Sequence, residues 1–204
     1  MRITEWTPVN KTRTRVQIDD DLTLVLSNRD LLQFHLTEGT EISEETWQEL
    51  MEKQYKDALY KCGSLLKDRD YSRSALCRKL LQSGFLEETA RRAIAAMEEA
   101  HYVDDRRYAL QYLETHAGTR SRLRLRMDLV SRGISGELLD EVFSSWEEEN
   151  EEQVAGEEIR QIRELMRKKH FDPGEADWQT TQKMMAFLAR KGYSQDVIRT
   201  ALDS

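Results

Sequence analysis

Five arginines crowd one short stretch of the chain, Arg120, Arg122, Arg124, Arg126 and Arg132, and Asp128 is the sole carboxylate among them. Guanidinium groups are permanently charged, planar and rich in donors, and they match the oxygens of phosphates and carboxylates. The segment therefore reads as a binding surface for an anionic partner, set against the plainer alternative of a solvated helix face. Lys67, Arg69, Arg73, Arg78 and Lys79, gathered around Tyr71, form a second basic region. Asp68 and Asp70 dilute it, so a solvated surface is the first reading there.

Residues for catalysis are missing. His35, His101, His116 and His170 are scattered, with no partner at metal-ligand spacing, and no phosphate-cradling glycine loop or nucleophile motif occurs. Asp104 and Asp105 are adjacent, which points their side chains apart, and Asp104 is placed to cap a helix. Cys62 and Cys77 form no CxxC pair and read as free thiols of a reducing compartment. No catalytic residue, cofactor or metal is expected. Trp47, Trp146 and Trp178 stand at apolar positions and read as core.

The elements that must position the arginines are legible as a repeat. Three times a helix-like apolar stretch runs into a basic or small residue, then glycine, then an apolar residue and a second amphipathic stretch. Aligned on Gly84, Gly133 and Gly192, position −8 carries Leu76, Leu125 and Met184, and position −4 carries Leu80, Leu129 and Leu188. Position +1 carries Phe85, Ile134 and Tyr193; position +6 carries Ala90, Leu139 and Ile198. Spacings of 49 and 59 residues between the glycines lie in or near the range of repeat architectures. Each glycine is expected to end a middle helix.

Residues 119–128 alternate strictly, which on its own favours a strand. The repeat register favours a helix, because Leu125 and Leu129 match their counterparts in the other two copies. On that helix Arg120/Arg124 and Arg122/Arg126 make neighbouring i,i+4 rows on one exposed arc, and like charges so spaced repel.

The fold class expected is mainly α: tandem three-helix repeats forming an elongated curved array, with a small β-rich N-terminal module. The module spans 1–42, with strands over Ile3–Val9, Arg13–Ile18 and Leu22–Leu26, a turn at Asp19–Asp21, and a helix from Arg29 to Leu36 with Gly39 beyond it. The repeats span 43–105, 106–146 and 147–204. Residues 147–169 read as one long helix, acidic at its start and basic in its last turns. Phe171-Asp172-Pro173-Gly174 is a turn, and an eight-residue insertion precedes the middle helix of the third repeat.

The chain has 204 residues and a net charge of −7, distributed as −5 over residues 1–50, +2 over 51–145 and −4 over 146–204. Only the middle is positive, which argues against strong free-standing DNA binding overall. The acid run Glu147–Glu152 reads as a solvated helix start, or as a surface for a basic partner. No stretch has the apolar length of a membrane span and the N-terminus lacks a signal-peptide layout, so a cytoplasmic monomer is expected.

Several segments resemble one family. Arg69-Asp70-Tyr71-Ser72, Leu76, Arg78-Lys79-Leu80 and Gly84 are similar to the first repeat of RecX proteins. His101-Tyr102-Val103-Asp104-Asp105 with Tyr108-Ala109 is similar to that family's junction between repeats. Gly118, Arg122-Leu123, Leu129 and Arg132-Gly133-Ile134 are similar to its second repeat. The resemblance implies a regulator of the RecA recombinase that lies along the RecA–single-stranded-DNA filament, limits its activity and acts in the DNA-damage response. Two rivals remain open on the residues: a DNA-binding protein using its three-helix units as groove readers, and an adaptor with no nucleic-acid role.

Overall fold

The structure, a computed structural model, describes residues 1–150 and 156–203. It is mainly helical, with three-helix repeats following a small antiparallel sheet. Two compact units divide it, Met1–Asp104 and Asp105–Ser204.

In the first unit β1 (Ile3–Pro8), β2 (Arg13–Ile18) and β3 (Leu22–Ser27) form a meander in sequential order. Alternation decides its inner face: Thr14, Val16 and Ile18 of β2 and Leu24 and Leu26 of β3 are buried. Asp19 and Asp20 turn the chain between β2 and β3 at φ 48° and 61°, a conformation their short polar side chains tolerate. Helix α1 (Asn28–Gln33) begins at Ser27, whose Oγ accepts from the Asp30 amide at 3.0 Å and donates to the Asp30 carboxylate at 2.6 Å. It ends three residues short of the expected Leu36, and Gly39 is not its stop. His35 takes φ 52°, and Leu36 N–H closes on Leu31 C=O at 2.8 Å, a Schellman end made without glycine.

Helices α2 (Glu44–Leu66), α3 (Arg73–Gln82) and α4 (Glu87–Glu99) share a core centred on Ala58, Cys62, Leu76, Leu80, Ala90 and Ala93. Ser43 and Ser72 cap α2 and α3 through their hydroxyls, as their side-chain chemistry predicts. Burial in this core pushes the Cys62 thiol up to about 11, and Cys62 and Cys77 are both free.

The second unit holds two further helix triplets. Helices α5 (Asp105–His116), α6 (Arg122–Ser131) and α7 (Glu137–Glu149) enclose Leu113, Leu125, Leu129, Phe143 and Trp146. Helices α8 (Glu157–Lys168), α9 (Trp178–Arg190) and α10 (Gln195–Leu202) enclose Ile162, Met184, Leu188, Tyr193 and Ile198. The single helix expected over 147–169 is two elements. Residues 147–149 complete α7, held there by buried Trp146, and α8 starts afresh after Gly156 at φ 82°. Glu151 and Glu152 of the acid run lie outside the described residues. The insertion is shared between a turn at Asp172–Gly174 and three extra residues on α9, which has 13 residues against 10 in α3 and α6. Trp178 opens α9 and is 74% exposed, so unlike Trp47 and Trp146 it is not core.

The three aligned glycines have one role. Gly84, Gly133 and Gly192 sit at φ 87°, 86° and 93°, where an L side chain is strained. The next amide reaches back five residues in each case: Phe85 to Leu80 at 3.2 Å, Ile134 to Leu129 at 3.0 Å, Tyr193 to Leu188 at 3.3 Å. The apolar residues at positions +1 and −4 are thus the contact pair of a Schellman end, which is why both recur as apolar.

Candidate functional site

The arginine stretch is helical, but its helix starts late. Ser121 is the N-cap of α6, its Oγ accepting from Arg124 N–H, so Arg120 lies outside the helix and the expected Arg120/Arg124 row does not form. Arg120 instead turns toward Asp128, its Nη1 2.5 Å from Oδ2, and donates also to the Tyr112 hydroxyl. Tyr112 donates to the same carboxylate oxygen at 3.0 Å, and Arg124 Nε meets Oδ1 at 3.1 Å. Arg132 donates to the Asp128 backbone carbonyl at 2.8 Å and stacks its guanidinium 4.4 Å from the Tyr112 ring centroid.

Asp128 is the hub of this cluster and is 7% exposed. Burial alone raises a carboxyl pKa, but hydrogen bonds from Tyr112 and Arg120, with the Arg124 and Arg120 charges, more than offset it and hold Asp128 below the ordinary range. Burial, with the hydrogen bond to Asp128, pushes the Tyr112 hydroxyl up.

The other two arginines are paired across the bundle. Arg122 meets Glu147 at 2.5 Å; Arg126 meets Asp140 at 2.7 Å and lies over the Phe143 ring at 4.4 Å. The uniform outward face expected from the sequence is therefore corrected: all five arginines have partners within the unit, and the repulsion among them is offset by Asp128, Asp140 and Glu147. Tertiary packing of α7 against α6 brings in the last two carboxylates. The secondary basic region is likewise engaged, with Arg73 bridged to Glu98 at 3.0 Å and Arg69 over the Tyr71 ring at 4.7 Å. Tyr71 packs on the core, Lys79 sits in the last turn of α3, Lys67 follows α2, and Arg78 is also partnered. Nothing in the geometry gathers these residues into a site.

A basic groove forms elsewhere, where the third helix triplet meets the turn before α6. Ser121 Oγ donates to Lys191 C=O at 2.8 Å, Gln161 Nε2 to Ala117 C=O at 2.6 Å, and the Arg122 amide to Glu158 Oε1 at 2.8 Å. Tyr193 anchors Gln161 with a 2.9 Å hydrogen bond. The contact is closest at Gly192, where a Cβ would lie 2.6 Å from Ser121 Oγ. Beside these bonds lies an open groove of about 660 Å³ lined by Arg120, Arg124, Lys168, Arg190 and Lys191. Among the described residues Glu164 is the only carboxylate lining it, and it is paired with Lys168 at 2.7 Å. Arg120 and Arg124 share Asp128 and Lys168 is paired with Glu164, so five cations meet two carboxylates and the groove keeps a positive excess, with Arg190, Lys191 and the half-exposed Arg124 guanidinium on its wall.

Two of the arginines singled out by sequence, Arg120 and Arg124, belong to this groove; Arg122, Arg126 and Arg132 do not line it. Lys168, Arg190 and Lys191 escape sequence reasoning, although the basic last turns of residues 147–169 and the basic pair ahead of Gly192 were their signals. Among the described residues no group of three or more His, Cys, Asp or Glu is placed to hold a metal, and no helix is long and apolar enough to cross a membrane.

The fold defines a class: a helical protein of tandem three-helix repeats, here with a groove rich in basic side chains where two of them meet. Comparisons with known proteins name the family. The profile described as "RecX, second three-helix domain" matches residues 104–142, and "RecX, third three-helix domain" matches 156–202. A "Regulatory protein RecX" of Trichlorobacter lovleyi is 34% identical over 139 residues, 66% of this chain and 86% of that one. Its namesake in Amycolatopsis mediterranei is 32% identical, spanning 74% and 84% of the two chains. The crystal structure of a regulatory protein RecX superposes with a TM-score of 0.65 at 21% identity, covering 100% of this chain and 99% of that one, which shows a shared fold. The chain belongs to the RecX family.

Proposed function

We propose that the protein is a non-enzymatic, cytoplasmic regulator that binds as a monomer to the RecA–single-stranded-DNA filament and restrains its activity in DNA repair. Kinship with proteins named as RecX regulators, over most of their length, is the observation that carries this reading. The groove supports it, because a net charge of −7 disfavours binding to nucleic acid at large while five clustered cations suit an anionic surface locally. Arg120, Arg124, Lys168, Arg190 and Lys191 meet filament carboxylates or phosphates in this reading. Arg122, Arg126 and Arg132 act mainly by holding α6 and α7 in place.

Arg190→Glu combined with Lys191→Glu tests it. Both residues are exposed at the end of α9, so the fold should survive, as a helical circular-dichroism spectrum would verify. The wild-type chain should inhibit RecA's DNA-dependent ATPase and bind less tightly as salt rises. The double variant should lose roughly tenfold or more in inhibition and show a shallower salt dependence, since each lost ionic contact releases fewer counterions. Inhibition undiminished in the folded variant removes the groove from the mechanism, and absence of any RecA response from the wild type removes the mechanism itself.

A further inference from the structure

The turns at Gly84 and Gly192 each receive a neighbouring element, and they receive it at matching atoms. In the third repeat the neighbour is the end of a helix from the preceding repeat. Ser121, the N-cap of α6, donates to the carbonyl of Lys191, the residue before Gly192, at 2.8 Å. In the first repeat the neighbour is the N-terminal sheet instead. Arg13 of β2 donates through Nη2 to the carbonyl of Ser83, the residue before Gly84, at 2.8 Å. Val25 of β3 donates its amide to the Gly84 carbonyl at 2.9 Å. Both glycines are pressed closely, since a Cβ would meet Val25 Cγ2 at 2.3 Å in one and Ser121 Oγ at 2.6 Å in the other.

Sheet and helix both gain from this contact. The last carbonyls of a helix have no intrahelical donor, and a guanidinium at that end suits the helix dipole. β3 is an edge strand, and the Gly84 carbonyl takes up one amide that the sheet leaves unpaired. A sheet and a helix N-terminus share no sequence pattern, so the match lies in position and chemistry and is not a by-product of the repeat register.

The first repeat also departs from the others to receive the sheet. Two residues after the glycine, the second and third repeats carry Ser135 and Ser194. Ser194 caps α10, its Oγ accepting from Val197 N–H at 3.3 Å. The first repeat carries Leu86 there, and α4 starts with no side-chain cap. Leu86 packs instead on the core of the module, which holds Ile3, Val16, Ile18, Leu24 and Leu26. A helix cap is given up for an apolar contact with the sheet.

We infer that the glycine turn of a repeat is a docking socket, and that the N-terminal module is the cap filling it in the first repeat, where a preceding repeat fills it in the third. The outermost repeat of a series leaves its docking face bare unless another element covers it. Arg13 and Val25 supply the donors and Leu86 the apolar anchor of that cover. The role belongs to residues 1–42 and holds whichever anion the groove takes.

Leu86→Ser in the full chain separates a cap from a module that merely adjoins the repeat, because the two predict opposite signs. Serine supplies α4 with the hydroxyl that caps α10, so an adjoining module predicts a higher melting temperature. A cap predicts a lower one, with native-state amide exchange at Gly84 and Phe85 faster by roughly tenfold and exchange at Gly192 and Tyr193 unchanged. Arg13 is half-exposed, so its variants keep the module folded even where Leu86→Ser does not. Arg13→Ala should accelerate the Gly84 and Phe85 amides selectively, and Arg13→Lys, which keeps a donor, should restore most of their protection. Ser121→Ala should give the mirror image, accelerating Gly192 and Tyr193 while sparing Gly84 and Phe85. A rise in melting temperature for Leu86→Ser overturns the cap, as does exchange at Gly84 and Phe85 that Arg13→Ala leaves unmoved.

Discussion

Asp128 organises more of the second repeat than any other polar residue. Its carboxylate receives Tyr112, Arg120 and Arg124, and its backbone carbonyl receives Arg132. Asp128→Asn keeps the shape but removes the charge those donors surround, leaving cations near a buried neutral amide. A loss of about 2 kcal/mol is expected, the scale of a hydrogen bond to a charged group, read from denaturant midpoints. Acid should act in the same direction. The folded-state pKa of Asp128 lies below the ordinary 3.8, so its stabilisation is complete above that value and fades as pH falls through the depressed one. The wild type should lose stability over that acidic range, and the Asn variant should lose less there. The histidines have a different use: His35, His101 and His170 take φ 52°, 60° and 51° and end α1, α4 and α8 in the conformation that glycine takes at the ends of the middle helices.

At the scale of elements, two of the helix-ending glycines, Gly84 and Gly192, do two things at once. Positive φ ends the helix, and the missing side chain lets a neighbouring element touch the turn. Val25 N–H donates to Gly84 C=O at 2.9 Å, and a Cβ at Gly84 would sit 2.3 Å from Val25 Cγ2. At Gly192 the intruded atom is Ser121 Oγ, which is committed to two hydrogen bonds and cannot withdraw without uncapping α6. Gly156, at φ 82°, has nothing within 4 Å among the described residues and isolates the backbone term. Gly156→Ala should therefore cost about 1 kcal/mol, while Gly84→Ala and Gly192→Ala should cost about 3 kcal/mol or more, clash being added to strain. Thermal melts of the three variants check the ranking; equal costs would refute the docking role.

For the whole molecule, cores and charges divide along the chain. Each compact unit contains two complete hydrophobic clusters, and all four have large side chains buried to a few per cent exposure. Fragments 1–104 and 105–204 should each fold and melt cooperatively in isolation, which circular dichroism on the separate fragments would show. The net charge of −7 coexists with a groove of five cations because summed charge ignores position.

The repeat, its turns and most of its helices were determined by the sequence alone, because they depend on neighbours within one or two turns; the break within 147–169 and the late start of α6 were not. Leu80, Leu129 and Leu188 with their glycines specify a Schellman end locally, and Ser43, Ser72 and Asp19–Asp21 specify caps and a hairpin. Kinship was legible for the same reason, since it resides in ordered local motifs. What decided the site was tertiary: Asp140 and Glu147 reach Arg126 and Arg122 from α7 across 14 and 25 residues, and Lys168, Arg190 and Lys191 join Arg124 only when α8 and α9 pack on the turn at Ser121. Coulomb pairing depends on distance in space, so a row of arginines in sequence becomes a braced helix, while cations far apart in sequence converge on one groove.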